Sequence, residues 1–101
     1  MRNWSLQYAM RIEFDHGKSD KNLLERGLSF ERADEFDFET AVYLTDDRHD
    51  YGEIRRIAIG CLDGRLHLLC FVFIPGGIRV ISFRKANTRE ARKHGKPLTL
   101  D

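Results

Sequence analysis

The second half of the chain alternates apolar and polar residues with the period of β-strands. Three runs rich in Ile, Val, Leu and Phe span residues 53–62, 65–74 and 78–83. Asp63-Gly64 is a strong two-residue hairpin signal between the first two runs, and Pro75-Gly76-Gly77 is a looser turn between the last two. The pattern predicts an antiparallel meander whose middle strand is apolar on both faces.

The first third of the chain combines a short strand with helical spacing. Residues 10–14 have a strand pattern, and Asp15 then offers a side-chain oxygen to cap a helix that continues to about Arg26. Gly27 is the expected end of that helix, because glycine readily adopts a left-handed conformation. A second helix is predicted after Ser29, with three apolar residues on one face: Phe30, Ala33 and Phe36.

Two further elements complete the predicted fold. Residues 41–44 indicate another short strand, and Asn87 with Glu90 has the spacing of a capping box for a helix that ends at Gly95. The prediction is an α+β fold in which a small antiparallel sheet carries two N-terminal helices and one C-terminal helix. Because two short helices cover only one side of the sheet, the C-terminal segment or a partner protein is expected on the other side.

The length of the chain allows one domain. Its 101 residues can form a single core, and we predict the domain over residues 10–95, with residues 96–101 as a tail. Residues 1–9 carry no clear pattern and precede a second methionine, Met10. We interpret them as a leader that is either not native or disordered.

The sequence does not indicate a membrane span, a disulfide or a metal site. No stretch reaches the roughly 18 uncharged apolar residues of a span, so a soluble, cytoplasmic protein is expected. Cys61 and Cys70 flank the predicted hairpin at a separation of roughly 13 Å, which exceeds disulfide reach. Neither has His or Cys neighbours at ligand spacing. Glycine loops for phosphates, zinc-protease motifs and nucleophile elbows are missing as well, and no cofactor is predicted.

Charge is distributed unevenly along the chain. The formal net charge is +1, yet residues 31–53 hold nine acidic residues against two basic ones, and residues 84–96 hold six basic residues against one acidic one. A basic segment suits a polyanion, and an acidic one suits a basic partner or another surface of the same chain. The alternative is that both segments are simply solvated faces.

The candidate chemistry lies at the margins of the predicted sheet. Strand alternation places Glu53 and Arg55 on one face. In the last strand it places Arg79 on a face with Ile81 and Phe83, so a cation interrupts an apolar surface. Such an arginine needs an anionic partner, which is either a carboxylate, for example that of Glu53, or a phosphate.

Several short motifs occur in an order that resembles the BrnT family of toxins. The matching positions span about residues 10–94 and comprise Ile12-Glu13-Phe14-Asp15, Lys18, Asn22, Gly27-Leu28-Ser29-Phe30-Glu31, Ala33, Asp46, Arg48-His49, Gly52-Glu53, Arg55, Gly60, Ile78-Arg79-Val80-Ile81-Ser82 and Arg84-Lys85-Ala86. The chain departs from the family at Phe83, where a small residue is usual, and at His94, where many members have Tyr. If that Tyr serves the chemistry, His94 has to replace it.

The resemblance implies a RelE-like fold and an RNA-cleaving activity that stops growth. It also implies neutralisation by a ribbon-helix-helix antitoxin of the BrnA type, contact with DNA only through that antitoxin, and a larger assembly with it.

RNA cleavage without a metal needs a base for the 2′-hydroxyl, cations for the phosphate and an acid for the leaving oxygen. Imidazole is the side-chain group best suited to exchange protons at neutral pH, so His49 is a candidate for proton transfer, and Glu53 is a candidate base. Arg55 and Arg79 are the candidate phosphate-stabilising residues. The predicted RNA-binding residues are Arg84, Lys85, Arg89, Arg92 and Lys93.

Each candidate also has a purely structural explanation. His49 is then a solvated loop residue, and Glu53 is an ion-pair partner of an arginine. Three phenylalanines in the strands, Phe71, Phe73 and Phe83, then fill the core rather than stack on bases. The alternative functions are a non-catalytic module that binds nucleic acid or protein through the basic segment, and a protein that acts only as a structural partner.

Overall fold

A computed structural model describes residues 10–100 of the chain. The predicted leader over residues 1–9 and the last residue of the predicted tail lie outside this described part. The elements are β1 (Arg11–Phe14), α1 (His16–Arg26), a 3-10 helix (Phe30–Glu35), β2 (Val42–Asp46), β3 (Arg55–Leu62), β4 (Arg65–Ile74), β5 (Gly77–Lys85) and α2 (Thr88–Lys93). No helix within residues 10–100 is long and apolar enough to cross a membrane.

The five strands form one mixed sheet in the order β1-β5-β4-β3-β2. Strands β3, β4 and β5 form the predicted antiparallel meander, and β2 pairs antiparallel with β3 at its edge. Strand β1 pairs parallel with β5, with Ile12 opposite Ile78, so the prediction of a purely antiparallel sheet is wrong for this strand. The long connection through α1, the 3-10 helix and the meander gives the chain the crossover that a parallel pair requires.

The helix ends follow the local signals in the sequence. The Asp15 side chain accepts a hydrogen bond from the Lys18 amide at 2.9 Å, and Gly27 ends α1 with a φ of 70°. Ser29 caps the next element as predicted. That element is a 3-10 helix rather than an α-helix, because the chain turns to extended backbone at Phe36, whose amide donates to the Ala33 carbonyl.

The hairpin between β3 and β4 has the predicted turn. Asp63 and Gly64 both have positive φ, 51° and 71°, as the two central residues of a type I′ turn require. Cys61 lies opposite Leu66, and both Cys61 and Cys70 are free thiols, as predicted.

The main core lies between the helical segment and one face of the sheet. It comprises Leu28, Phe30, Ala33 and Phe36 from the helical side and Ala58, Leu62, Leu69, Phe71, Ile78, Val80 and Phe83 from the sheet. Phe71 and Phe83 are each 1% exposed, which confirms core packing for both, whereas Phe73 is 64% exposed. The side of the sheet that carries this core is called the helical face below.

The C-terminal segment covers part of the opposite face, which is one of the two alternatives that the sequence left open. Ala91 of α2 and Leu98 pack with Ile59 and Leu66, and the Leu66 amide donates to the Leu98 carbonyl at 2.9 Å. The remainder of this face, around Arg79, is not covered by α2 and is called the open face below.

A β-bulge in β5 changes which residues share a face. Phe71 pairs with Val80 but the neighbouring Cys70 pairs with Ser82, so Ile81 is the extra residue. Phe83 therefore points to the helical face, and Ser82 shares the face of Arg79. The prediction that Arg79, Ile81 and Phe83 line one face is wrong, because simple alternation fails across a bulge.

We expect Gly60→Ala to destabilise the fold. A Cβ atom at this position would lie 2.8 Å from the Phe36 ring and 3.0 Å from the Asp37 carbonyl oxygen. Overpacking of this kind costs about 1–3 kcal/mol in the free energy of unfolding, which urea titration measures. The control is Gly17→Ala in exposed α1, and equal stability of the two variants would contradict the close packing at Gly60.

Candidate functional site

The two predicted phosphate-stabilising arginines lie on the open face. Ile57, two residues after Arg55, pairs with Cys70, and Val72, two residues after Cys70, pairs with Arg79. Paired residues share a face, and so do residues two apart in a strand. Arg55 and Arg79 therefore project from the same side of the sheet, although their strands are separated by β4.

Glu53 joins these two arginines. Arg79 donates from Nη2 to Glu53 Oε1 at 2.6 Å, and Arg55 donates from Nε to Glu53 Oε2 at 3.4 Å. The hydrogen bond from Arg79, with a smaller contribution from Arg55, lowers the pKa of Glu53 below its ordinary value. The carboxylate is therefore ionised at neutral pH and is a weak proton acceptor. The ion pairing that the sequence offered as a structural explanation is present with both arginines.

Tyr51 connects His49 to this group and was not among the predicted residues. The Arg55 guanidinium carbon lies 3.9 Å from the centre of the Tyr51 ring, and the His49 ring meets Tyr51 edge-on at 5.6 Å. His49 is exposed, as expected of a loop residue. The signal that could have identified Tyr51 is an aromatic hydroxyl in an otherwise polar segment that is close to two candidate residues.

A buried carboxylate anchors the loop that carries these residues. Arg48 donates from Nε and Nη2 to the two Asp46 oxygens at 2.8 Å each, and the Tyr51 hydroxyl donates to Asp46 Oδ2 at 3.3 Å. The hydrogen bonds from Arg48 lower the pKa of Asp46 to about 2. Asp46 ends β2, beyond the predicted limit at residue 44. The strand therefore fixes the start of the segment that holds His49, Tyr51 and Glu53.

Arg84 projects from the same side of the sheet as Arg79, in the part that α2 covers, and is engaged by α2. It donates to both oxygens of Glu90 at 2.9 and 2.6 Å, while Glu90 also forms the predicted capping box with Asn87. The hydrogen bonds from Arg84, with smaller contributions from the Asn87 amide and from His94, lower the pKa of Glu90 to about 2. The hydrogen bonds to Glu90 raise the pKa of Arg84, while burial and the Arg48 cation partly oppose this rise.

We expect the Arg84–Glu90 pair to contribute to stability above about pH 5. Because the folded-state pKa of Glu90 is lowered to about 2, this contribution is complete above the unfolded-state pKa and is lost as the pH falls through the folded one. After allowance for solvent screening it amounts to about 1–2 kcal/mol. Urea unfolding at neutral and acidic pH should therefore show a smaller acid-induced loss for Glu90→Gln, in which the capping box persists. Parallel pH profiles for the two proteins would contradict this role.

The remaining predicted RNA-binding residues divide between two faces. Arg89, Arg92 and Lys93 are exposed on α2, and none of them has an ion pair within the described chain. Lys85 pairs with His67 and lies on the helical face, whereas Arg84 lies on the opposite face of the sheet. The reason is that adjacent strand residues point to opposite faces.

Metal-ligating side chains do not cluster in the described part of the chain. Within residues 10–100, no group of three or more His, Cys, Asp or Glu residues is placed so that it could hold a metal ion.

Comparison with known proteins connects this geometry to a family. A search of curated proteins found no match. The family profile described as "Ribonuclease toxin, BrnT, of type II toxin-antitoxin system" matches residues 14–90, which include the site from Asp46 to Glu90. The match covers well over half of the chain and agrees with the resemblance found in the sequence. The chain belongs to the BrnT family of ribonuclease toxins of type II toxin-antitoxin systems.

Proposed function

We propose that this protein is an endoribonuclease toxin that cleaves RNA without a metal ion and thereby stops growth. The family supports the ribonuclease class. The observation that carries the proposal for this chain is the convergence of Arg55 and Arg79 on Glu53 on the open face. Two guanidinium groups held at one place can bind the non-bridging oxygens of a phosphodiester and stabilise the charge that develops on them.

Glu53 holds the arginines in position before RNA binds. Its carboxylate already accepts hydrogen bonds from both guanidinium groups, and its lowered pKa makes it a poor base. In the proposed complex a phosphate takes over part of these hydrogen bonds. The free carboxylate oxygen then accepts a hydrogen bond from the 2′-hydroxyl and orients it for attack on phosphorus.

His49 is the proposed proton-transfer group. The 2′-oxygen forms a bond to phosphorus while the bond to the 5′-oxygen breaks, which gives a 2′,3′-cyclic phosphate and a 5′-hydroxyl end. The proton of the 2′-hydroxyl must leave and the 5′-oxygen must gain one, and an imidazole can carry out both transfers near neutral pH. Tyr51 positions His49 through the edge-on contact and Arg55 through the ring face.

The exposed cations of α2 provide the proposed path for the RNA strand. Arg89, Arg92 and Lys93 belong to the helix that Arg84 fixes to the sheet through Glu90. They are available for phosphates on either side of the cleaved bond, which predicts salt-sensitive binding. The same observation favours the alternative function, a binding module without catalysis.

The experiment that separates the two functions is RNA cleavage in the presence of excess chelator. We expect fragments with 2′,3′-cyclic phosphate ends from purified protein treated with EDTA, detected by gel electrophoresis and mass spectrometry. Cleavage that appears only after Mg²⁺ is added would contradict the metal-independent mechanism. Salt-sensitive binding of intact RNA without fragments would establish the binding module instead.

A type II toxin acts together with an antitoxin partner. We propose that this partner is a BrnA-like ribbon-helix-helix protein encoded by the adjacent gene, that the two proteins form a larger cytoplasmic assembly, and that DNA is contacted through the antitoxin alone. Size-exclusion chromatography with light scattering should show a stable complex of the toxin with the adjacent gene product. A toxin whose mass and activity are unchanged by that product would contradict the pairing.

A further inference from the structure

A second group of cations lines a cleft on the helical face. This cleft, of about 680 Å³, lies between the end of α1, the β3–β4 hairpin and the end of β5. Its charged and titratable lining residues are Arg26, Arg32, Asp63, Arg65, His67 and Lys85. His67 lines the cleft, and Val72 is the partner of Arg79 in the sheet. The two residues are five positions apart on β4, a distance of about 17 Å along the strand, and their side chains point to opposite faces. The cleft is therefore separate from the site around Arg79.

The positive charge in the cleft is only partly neutralised. Arg32 is paired with Glu35 at 3.0 Å and with Asp63 at 2.5 Å, and among residues 10–100 Asp63 is the one acidic residue that lines the cleft. Arg26 and Lys85 are exposed and have no ion pair within residues 10–100. Three cations, those of Arg26, Arg65 and Lys85, thus lack an anionic partner in the described structure.

Arg65 also has an unused hydrogen-bond donor. Its Nη2 donates to the Ala86 carbonyl at 2.7 Å, which fixes the guanidinium group at the cleft. Its Nε is buried and has no acceptor among the described residues. A buried donor of this kind is unfavourable unless an acceptor is supplied, and an anionic oxygen is the strongest acceptor available.

The same positive charge affects the pKa of His67, which also lines the cleft. The residue is 4% exposed, and its Nδ1 lies 2.7 Å from the Arg65 carbonyl oxygen, so Nδ1 donates to it. Burial lowers the pKa of His67, and the cations of Arg65, Lys85 and Arg32 lower it further. An anion bound in the cleft would offset the charge of those cations and raise the pKa of His67.

We propose that this cleft is a second phosphate-binding site of the protein, distinct from the site of RNA cleavage. Guanidinium groups match the oxygens of a phosphate in pairs, and a lysine ammonium adds a mobile point charge. The phosphate belongs either to the backbone of an RNA strand or to a small phosphorylated molecule. The proposal does not depend on the cleavage activity, because it rests on binding alone.

The test is a binding titration monitored at His67. The probes are inorganic phosphate, adenosine monophosphate and a short 2′-O-methyl RNA without terminal phosphates, and the readout is the NMR signal of the His67 ring. We expect at least one probe to shift this signal. The double variant Arg26→Gln/Lys85→Gln should weaken that binding by about tenfold or more, because it removes two charge-assisted contacts. The matched control is Lys21→Gln, which removes an exposed cation of α1 that does not line the cleft.

The pattern of binding identifies the source of the phosphate. Binding of the oligonucleotide alone supports an RNA backbone, and binding of the small anions supports a phosphorylated small molecule. The absence of any shift at His67 would overturn the proposal. An equal loss of affinity in Lys21→Gln would overturn it as well, because the effect would then come from net charge rather than from the cleft.

Discussion

Arg79→Ala is expected to reduce the rate of RNA cleavage by about a hundredfold or more and to leave the fold intact. Arg79 supplies the shortest hydrogen bond to Glu53 and is 39% exposed, so its side chain is not part of the core. The variant loses a cation where the transition state gains charge. The measurements are the cleavage rate in chelator, the urea unfolding midpoint and growth of cells that express the toxin alone.

Two further variants make this result specific. Arg79→Lys keeps the charge but loses the paired donors, so it should recover only part of the rate. Lys21→Ala removes an exposed cation outside the open face and should cleave RNA as the parent does. Undiminished cleavage by folded Arg79→Ala would mean that the arginines around Glu53 are only structural.

Gly77→Ala is expected to cost about 3 kcal/mol or more in the free energy of unfolding, the largest effect that we expect from a single methyl group. Gly77 pairs with Arg11 where β1 runs beside β5, and an added Cβ would overlap the backbone carbonyl of Arg11. The strand must move away or the sheet must open at this edge. Ile12 and Phe14 of β1 pack against the core, so a shift of β1 also removes apolar contacts of the core.

The neighbouring glycine is a matched control. Gly76 has a φ of 80° and open space around its Cβ position, so Gly76→Ala should cost only the left-handed backbone penalty of about 1–2 kcal/mol. Urea unfolding compares the two variants, and hydrogen exchange should show faster exchange in β1 for Gly77→Ala alone. Equal costs for both would contradict the close parallel pairing of β1 with β5.

Local sequence signals predicted the helices, the strands and their ends. The pairing of β1 was not predicted, because it depends on a contact between distant parts of the chain. The caps at Asp15 and Asn87, the stop at Gly27 and the Asp63-Gly64 turn each depend on a few adjacent residues, and all were correct. The partner of β1 depends on a contact with a strand more than 60 residues away. Periodicity within a segment carries no information about such a contact.

The site was predictable to the extent that it obeys strand alternation. Alternation was correct for Arg55 and Arg79, but β3 begins at Arg55, so the prediction that Glu53 lies in the strand is wrong. Glu53 lies in the preceding bend and still contacts both arginines. The sequence predicted Glu90 only as a capping-box residue, because that role follows from its spacing to Asn87. Its hydrogen bond with Arg84 was not predicted, because the two residues meet only in the folded protein. Tyr51 was missed, although its aromatic hydroxyl in a polar segment was a usable signal, because the sequence does not show that its ring stacks on Arg55.

The bulge at Ile81 changes which residues of β5 point to each face of the sheet. Before it, odd-numbered residues such as Arg79 point away from the helices, and after it, even-numbered residues such as Arg84 do. Two arginines an odd number of positions apart thus share a side, which an uninterrupted strand forbids. If the bulge were lost while the strand kept its length, Arg84 would point into the apolar interior and Phe83 into water. Deleting Ile81 would instead restore regular alternation and leave both residues on their present faces, so a one-residue deletion is tolerated here and nowhere else in the paired part of β5.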